Sequence, residues 1–109
     1  LQDISILYVP SNARELLSWI AVLNDECVGN INLQIEPHNT IKFLDAWVHE
    51  NHRRQGIYRR LWDTRWDYVK EHYKDYKVYA WCKPMSLPLL LEKGFEASET
   101  CVYVSSIIK

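Results

Sequence analysis

Between Val48 and Leu61 the chain reads Val-His-Glu-Asn-His-Arg-Arg-Gln-Gly-Ile-Tyr-Arg-Arg-Leu. An apolar segment runs into a polar turn, and an amphipathic segment follows, so Gly56 falls where a helix should begin. The first turn of a helix carries unpaired N–H groups and a partial positive charge, which together suit an anion. A glycine there lets a phosphate approach the backbone closely. Arg53, Arg54 and Arg59 add long-range attraction for a polyphosphate. These residue types alone are also those of a solvated basic turn, so their placement by the surrounding elements has to decide.

Those elements can be read from periodicity. Ile4–Val9 is expected to be a short strand, closed by Pro10-Ser11-Asn12. Leu16–Leu23 fits helix or strand by itself, but the Asn24-Asp25-Glu26 turn and the alternating segment Cys27–Glu36 favour a hairpin. Ile41–His49, apolar on both faces, predicts one continuous central strand. From Gln55 to about Tyr73 the period changes. Tyr58, Leu61, Trp62, Trp66, Val69 and Tyr73 recur every three or four residues as the apolar stripe of a long helix. A short strand over Val78–Cys82, a short helix over Pro84–Lys93 stopped by Gly94, and one or two strands over Phe95–Ile108 complete the chain. The order predicts an α/β (α+β) fold with a mixed, mainly antiparallel sheet.

Composition narrows the function classes. The 109 residues make one domain, and 48% of them are hydrophobic, as in ordinary globular proteins. No apolar run approaches the ~20 residues of a membrane-spanning helix. Thirteen Lys and Arg against fourteen Asp and Glu give a net charge of −1, which disfavours nucleic acid as a partner. Three widely spaced cysteines, Cys27, Cys82 and Cys101, suggest free thiols in a reducing, cytoplasmic setting, with no metal site. No basic-then-apolar leader is visible at Leu1–Leu7.

Arg53-x-x-Gly56-x-Tyr58 resembles the Arg/Gln-x-x-Gly-x-Gly/Ala motif of the GNAT family of N-acetyltransferases. Trp47-Val48 upstream, and Leu91-Glu92-Lys93-Gly94-Phe95 downstream, are similar to that family's flanking signatures. The resemblance extends over most of the chain, from Leu16 onward, and includes small phage-type proteins. It implies a twisted GNAT-like sheet with a long central helix and a short C-terminal one. It also implies acetyl-CoA as co-substrate and a primary amine as acceptor. The backbone of Trp47 and Val48 would pair with the pantetheine arm. Arg53, Arg54, Gln55, Gly56, Ile57, Tyr58 and Arg59 would hold the pyrophosphate.

The chain departs from the family in three places. Tyr58 stands where Gly or Ala is usual. Leu90 stands where a Tyr often protonates the leaving thiolate, and Lys83 where an Asn is common. Between the first two strands there is only Pro10 to about Glu15. Residues 1–109 are therefore expected to form one GNAT-like domain lacking most of the usual N-terminal helical region, with a homodimer as one way to complete the acceptor side. Catalysis would need substitutes: Asp45 as general base, with His49 or Glu50 as alternatives, and Cys82 or Tyr79 as acid. A non-catalytic GNAT-like assembly or interaction module is the alternative reading. A nucleic-acid-binding domain using Arg53, Arg54, Arg59 and Arg60 is a distant third.

Overall fold

The computed structural model describes residues 3–11, 15–44, 46–81, 86–98 and 103–108. Eight strands and two α-helices follow one another in the order β1 (Ser5–Val9), β2 (Leu16–Leu23), β3 (Glu26–Glu36), β4 (Thr40–Phe43), β5 (Trp47–Val48), α1 (Ile57–His72), β6 (Lys77–Trp81), α2 (Leu87–Glu92), β7 (Glu96–Ser98) and β8 (Tyr103–Ile107). A single turn of 3-10 helix, Glu50–His52, leads from β5 towards α1.

The strands make one sheet in the order β1-β2-β3-β4-β6-β8-β7, and β5 also pairs with β3. Only β4 and β6 run parallel; every other pairing is antiparallel. Parallel neighbours need a crossover, and α1 supplies it. The expected mixed, mainly antiparallel sheet with one long and one short helix is what forms.

Alternation sets the faces. In β2 the buried residues are Leu17, Trp19, Ala21 and Leu23, and in β3 they include Val28, Ile31 and Leu33. α1 lays Ile57, Leu61, Trp62, Trp66 and Val69 against them, and Phe43, Leu90 and Phe95 join the same core. The rings of Phe43, Trp62, Trp66 and Phe95 meet at centroid distances of 5.3–6.1 Å, mostly tilted or edge-on as aromatic quadrupoles prefer. α2 is clamped to α1 by Lys93–Asp63 at 2.6 Å and Arg59–Glu92 at 3.0 Å.

One expectation is corrected. Ile41–His49 is not a continuous strand but two, β4 and β5, with a break between Phe43 and Trp47. Leu33 pairs with Phe43 and Asn30 with Trp47. Between these two pairings β3 has two residues and the opposite segment three, which is the count of a β-bulge. Apolar residues on both sides of the break hide it from periodicity. Gly29 lets β5 lie close, since a Cβ there would be 2.8 Å from the Trp47 carbonyl oxygen.

Candidate functional site

The turn from β5 into α1 is built from unusual backbone. Arg54 has φ 63° and Gly56 φ 79°, both left-handed. Glycine tolerates this conformation without steric cost, so Gly56 serves the turn geometry first. Gly56 is the N-cap residue of α1, and no side chain caps the helix. The first helical bond of α1 runs from Arg60 N–H to the Gly56 carbonyl at 3.0 Å. The N–H groups of Ile57, Tyr58 and Arg59 lie ahead of it. They are the orphan donors that a helix start offers an anion.

A hollow of about 250 Å3 sits over this turn, lined by Val48, His52, Arg53, Arg54, Gly56, Ile57, Tyr58 and Arg59. Of the nine residues expected to hold the cofactor, seven line it. Gln55 is exposed in the same turn, and Trp47 stands beside it in β5, 43% exposed. A Cβ added at Gly56 would meet nothing within 4 Å, so the space over the turn is open. His52 also reaches the hollow, and its Nδ1 is buried without a partner.

The arginines are not one loose patch. Arg53 Nε donates to the Val48 carbonyl at 3.1 Å, so any further partner there must use that oxygen's second lone pair. Arg59 pairs with Glu92, and Arg60 donates to the Ile4 carbonyl at 2.8 Å, on the side of β1. Arg53 and Arg54 are left exposed at the turn.

A second cavity, a cleft of about 180 Å3, opens where β4 and β6 part. Their parallel register ends at Lys42 and Tyr79. Beyond it, Phe43, Leu44 and Ala46 form one wall and Ala80 and Trp81 the other, with Tyr58, Trp62 and Arg65 of α1, and Ser86 and Leu90, completing the lining. Tyr58 borders both cavities, which therefore lie side by side.

At the base of this cleft lies a residue that sequence reasoning missed. Arg65 is only 2% exposed. Its Nη1 donates to the carbonyls of Asn32 at 2.8 Å and Leu44 at 3.2 Å, the two chains flanking the bulge. Its guanidinium carbon stands 3.7 Å from the Phe43 ring centroid and 5.0 Å from that of Trp62. Burial lowers its pKa from the ordinary guanidinium range to about 9, with Tyr58 opposing that shift, so it remains charged at neutral pH. Its Nε is buried and has no partner. The signal was available: Arg65 stands four residues from both Leu61 and Val69, on the buried stripe of α1.

The proposed catalytic residues fare differently. Asp45 and Cys82 lie outside the described residues. Tyr79, the other acid considered, donates to Glu36 Oε1 at 2.7 Å and does not line the cleft. His49 accepts from Asn51 N–H through Nδ1 at 3.1 Å and so caps the 3-10 turn. Leu90 lines the cleft and is 3% exposed, so an aliphatic side chain occupies this wall. Among the described residues the cleft's hydroxyls are those of Tyr58 and Ser86. No group of three metal-ligating side chains occurs among the described residues, and no helix there is long and apolar enough to cross a membrane.

The sequence profile of the acetyltransferase (GNAT) family matches residues 4–90. The chain belongs to the GNAT family. Solved structures agree with this GNAT fold. An IAA acetyltransferase from Bacillus cereus superposes with a TM-score of 0.75 at 14% identity, covering 96% of this chain and 99% of its own. The ribosomal-protein-S18-alanine N-acetyltransferase of Escherichia coli gives 0.75 at 13% identity, covering 90% of this chain and 72% of its own. A GNAT family N-acetyltransferase of Escherichia coli solved in complex with CoA gives 0.68 at 18% identity, covering 85% and 59%. No curated protein sequence matches the chain. Within the GNAT fold, the uncapped start of α1 and the parting of β4 from β6 are the two openings described above.

Proposed function

We propose that this GNAT protein is an acyl-CoA-dependent N-acyltransferase that carries an acetyl group from acetyl-CoA to a primary amine. The observation that carries the reading is that the two cavities lie side by side, with Tyr58 in the wall of both. Orphan N–H groups of Ile57, Tyr58 and Arg59, with Arg53 and Arg54, offer a pyrophosphate a seat. Tyr58 is shared by that seat and the cleft at the bulge, where the thioester would lie. A protein of this fold was solved in complex with CoA, which supports a CoA-type donor for this chain.

In the reaction, the amine nitrogen attacks the thioester carbonyl carbon. A C–N bond forms, the C–S bond breaks, the amine gives up a proton, and the leaving thiolate takes one. Asp45 is our candidate base; its sequence neighbours Leu44 and Ala46 both line the cleft. Cys82, next to Trp81 in sequence, is our candidate acid. One backbone N–H group of the Ile41–His49 segment would face the thioester oxygen and stabilise the developing oxyanion, a role in which preorganised donors are effective. We assign residues 1–109 to one GNAT-like domain with a reduced acceptor side, for which a second copy of the chain is the simplest complement. The exposed free thiol of Cys27 suits a reducing, cytoplasmic setting.

The aliphatic Leu90 favours one competing reading, a GNAT protein that binds CoA without catalysing transfer. Calorimetric titration of acetyl-CoA and desulfo-CoA tests the shared premise. Saturable binding should be lost when Arg53→Ala and Gly56→Glu are combined, because a carboxylate would repel the pyrophosphate. Binding that survives this double change overturns the phosphate assignment. Turnover with an amine, lost in Asp45→Asn, then separates the enzyme from the binding module.

A further inference from the structure

A charged group as buried as Arg65 needs compensation, because removing an ion from water costs several kcal/mol. The compensation present is partial. Both hydrogen bonds leave from Nη1 and end on neutral carbonyls. The faces of Phe43 and Trp62 add cation–π attraction. Among the described residues no carboxylate pairs with the guanidinium, and buried Nε bonds nothing. The same side chain lines a cleft that shares Tyr58 with the helix-start hollow. A buried, only partly compensated cation on the wall of a small cavity is a receptor for an anion, and a planar guanidinium suits a carboxylate above all.

We propose that Arg65 makes the cleft selective for acyl-CoA thioesters whose acyl chain ends in a carboxylate, such as short dicarboxylic monothioesters, over the plain acetyl thioester. The proposal rests on the reading that a CoA thioester spans the hollow and the cleft, and changes only the acyl group it carries. A carboxylate on the acceptor amine is the other possible source of the anion. Titration of donors with no amine present separates the two.

The test is calorimetric titration of succinyl-CoA, acetyl-CoA and free CoA into the wild-type chain, Arg65→Met and Arg65→Lys. Wild type should bind succinyl-CoA about 10- to 100-fold more tightly than acetyl-CoA, the worth of one charge-assisted hydrogen bond. Arg65→Met should bind the two equally, each read relative to its own affinity for free CoA, so that any change in the cleft itself cancels. Arg65→Lys, with the charge but not the fork, should fall between. Equal binding of acetyl-CoA and succinyl-CoA by wild type overturns the inference and leaves the CoA reading standing. A succinyl preference that persists undiminished in Arg65→Met or Arg65→Lys also overturns it. If wild type binds none of the three, the CoA reading itself fails and takes the inference with it. The wild-type comparison decides even if Arg65→Met does not fold.

Discussion

Arg65 Nη1 donates to the Leu44 carbonyl at 3.2 Å, at the point where the strand begun at Thr40 breaks. A bulge leaves backbone groups without ladder partners. Here a helix side chain supplies one of them from below. Leu44 N–H and Arg65 Nη1 both bond the Asn32 carbonyl, at 3.1 and 2.8 Å, which uses both of its lone pairs. Arg65 of α1 thus ties the end of β4 to β3 beside the opening between β4 and β6.

Arg65→Ala should therefore destabilise the fold by about 2–4 kcal/mol, combining a lost carbonyl partner with a cavity. Arg65→Met, which refills the volume and removes a buried charge, should cost less. Urea denaturation of the two variants checks the order. Equal stabilities would mean that the bulge does not need the guanidinium.

Gly29→Ala should displace β5. The new methyl would stand 2.8 Å from the Trp47 carbonyl oxygen and 3.3 Å from Leu61 Cδ1. Overpacking of this kind costs about 1–3 kcal/mol. Thermal melting should show the loss, and amide spectra should place the largest changes at Trp47 and Val48. An unchanged melting temperature would contradict the packing described.

Gly56 presents the opposite case. Space above it is open, but its φ is 79°. Gly56→Ala should cost about 1–2 kcal/mol from backbone strain alone, and Gly56→Asn should cost less, since Asn tolerates the left-handed region. Paired denaturation curves would reveal this order, and a more stable alanine variant would refute it.

Alkaline pH should loosen the aromatic surface around β1 and the end of α1. Burial raises the pKa of Tyr68 and Tyr73 above the ordinary 10.0; Tyr8 and Glu71 raise that of Tyr68 further, and Tyr68, Tyr76 and Tyr8 that of Tyr73. In the unfolded chain these phenols ionise first, so stability present below about pH 10 falls as pH rises past it. Tyr68→Phe and Tyr73→Phe should flatten that fall. Stability followed between about pH 8 and 11 gives the answer, with identical slopes for wild type and variants as the contrary result.

Much of this fold was legible because local and global preferences agree. The alternation of Cys27–Glu36, the stripe from Leu61 to Val69, and Gly56 between a strand and a helix each pointed to what forms. The break at residues 44 to 46 was not legible, because Phe43, Leu44, Ala46 and Trp47 are apolar on both sides of it. The side chain that meets its backbone comes from a residue 21 positions beyond Leu44, out of reach of local pattern. Arg65 itself was overlooked because an arginine on a helix ordinarily belongs to the wet face. The turn of the phosphate seat was readable from residue types, whereas its sharing of Tyr58 with the cleft exists only in three dimensions.

The central claim is that one CoA thioester occupies both cavities. Titration of CoA into isotope-labelled protein, followed amide by amide, tests it most directly. The account predicts large, saturable shifts at Gly56, Ile57, Tyr58 and Arg59, with a second group at Leu44, Ala46 and Trp81. Shifts confined to other surfaces, or none at millimolar CoA, would contradict it.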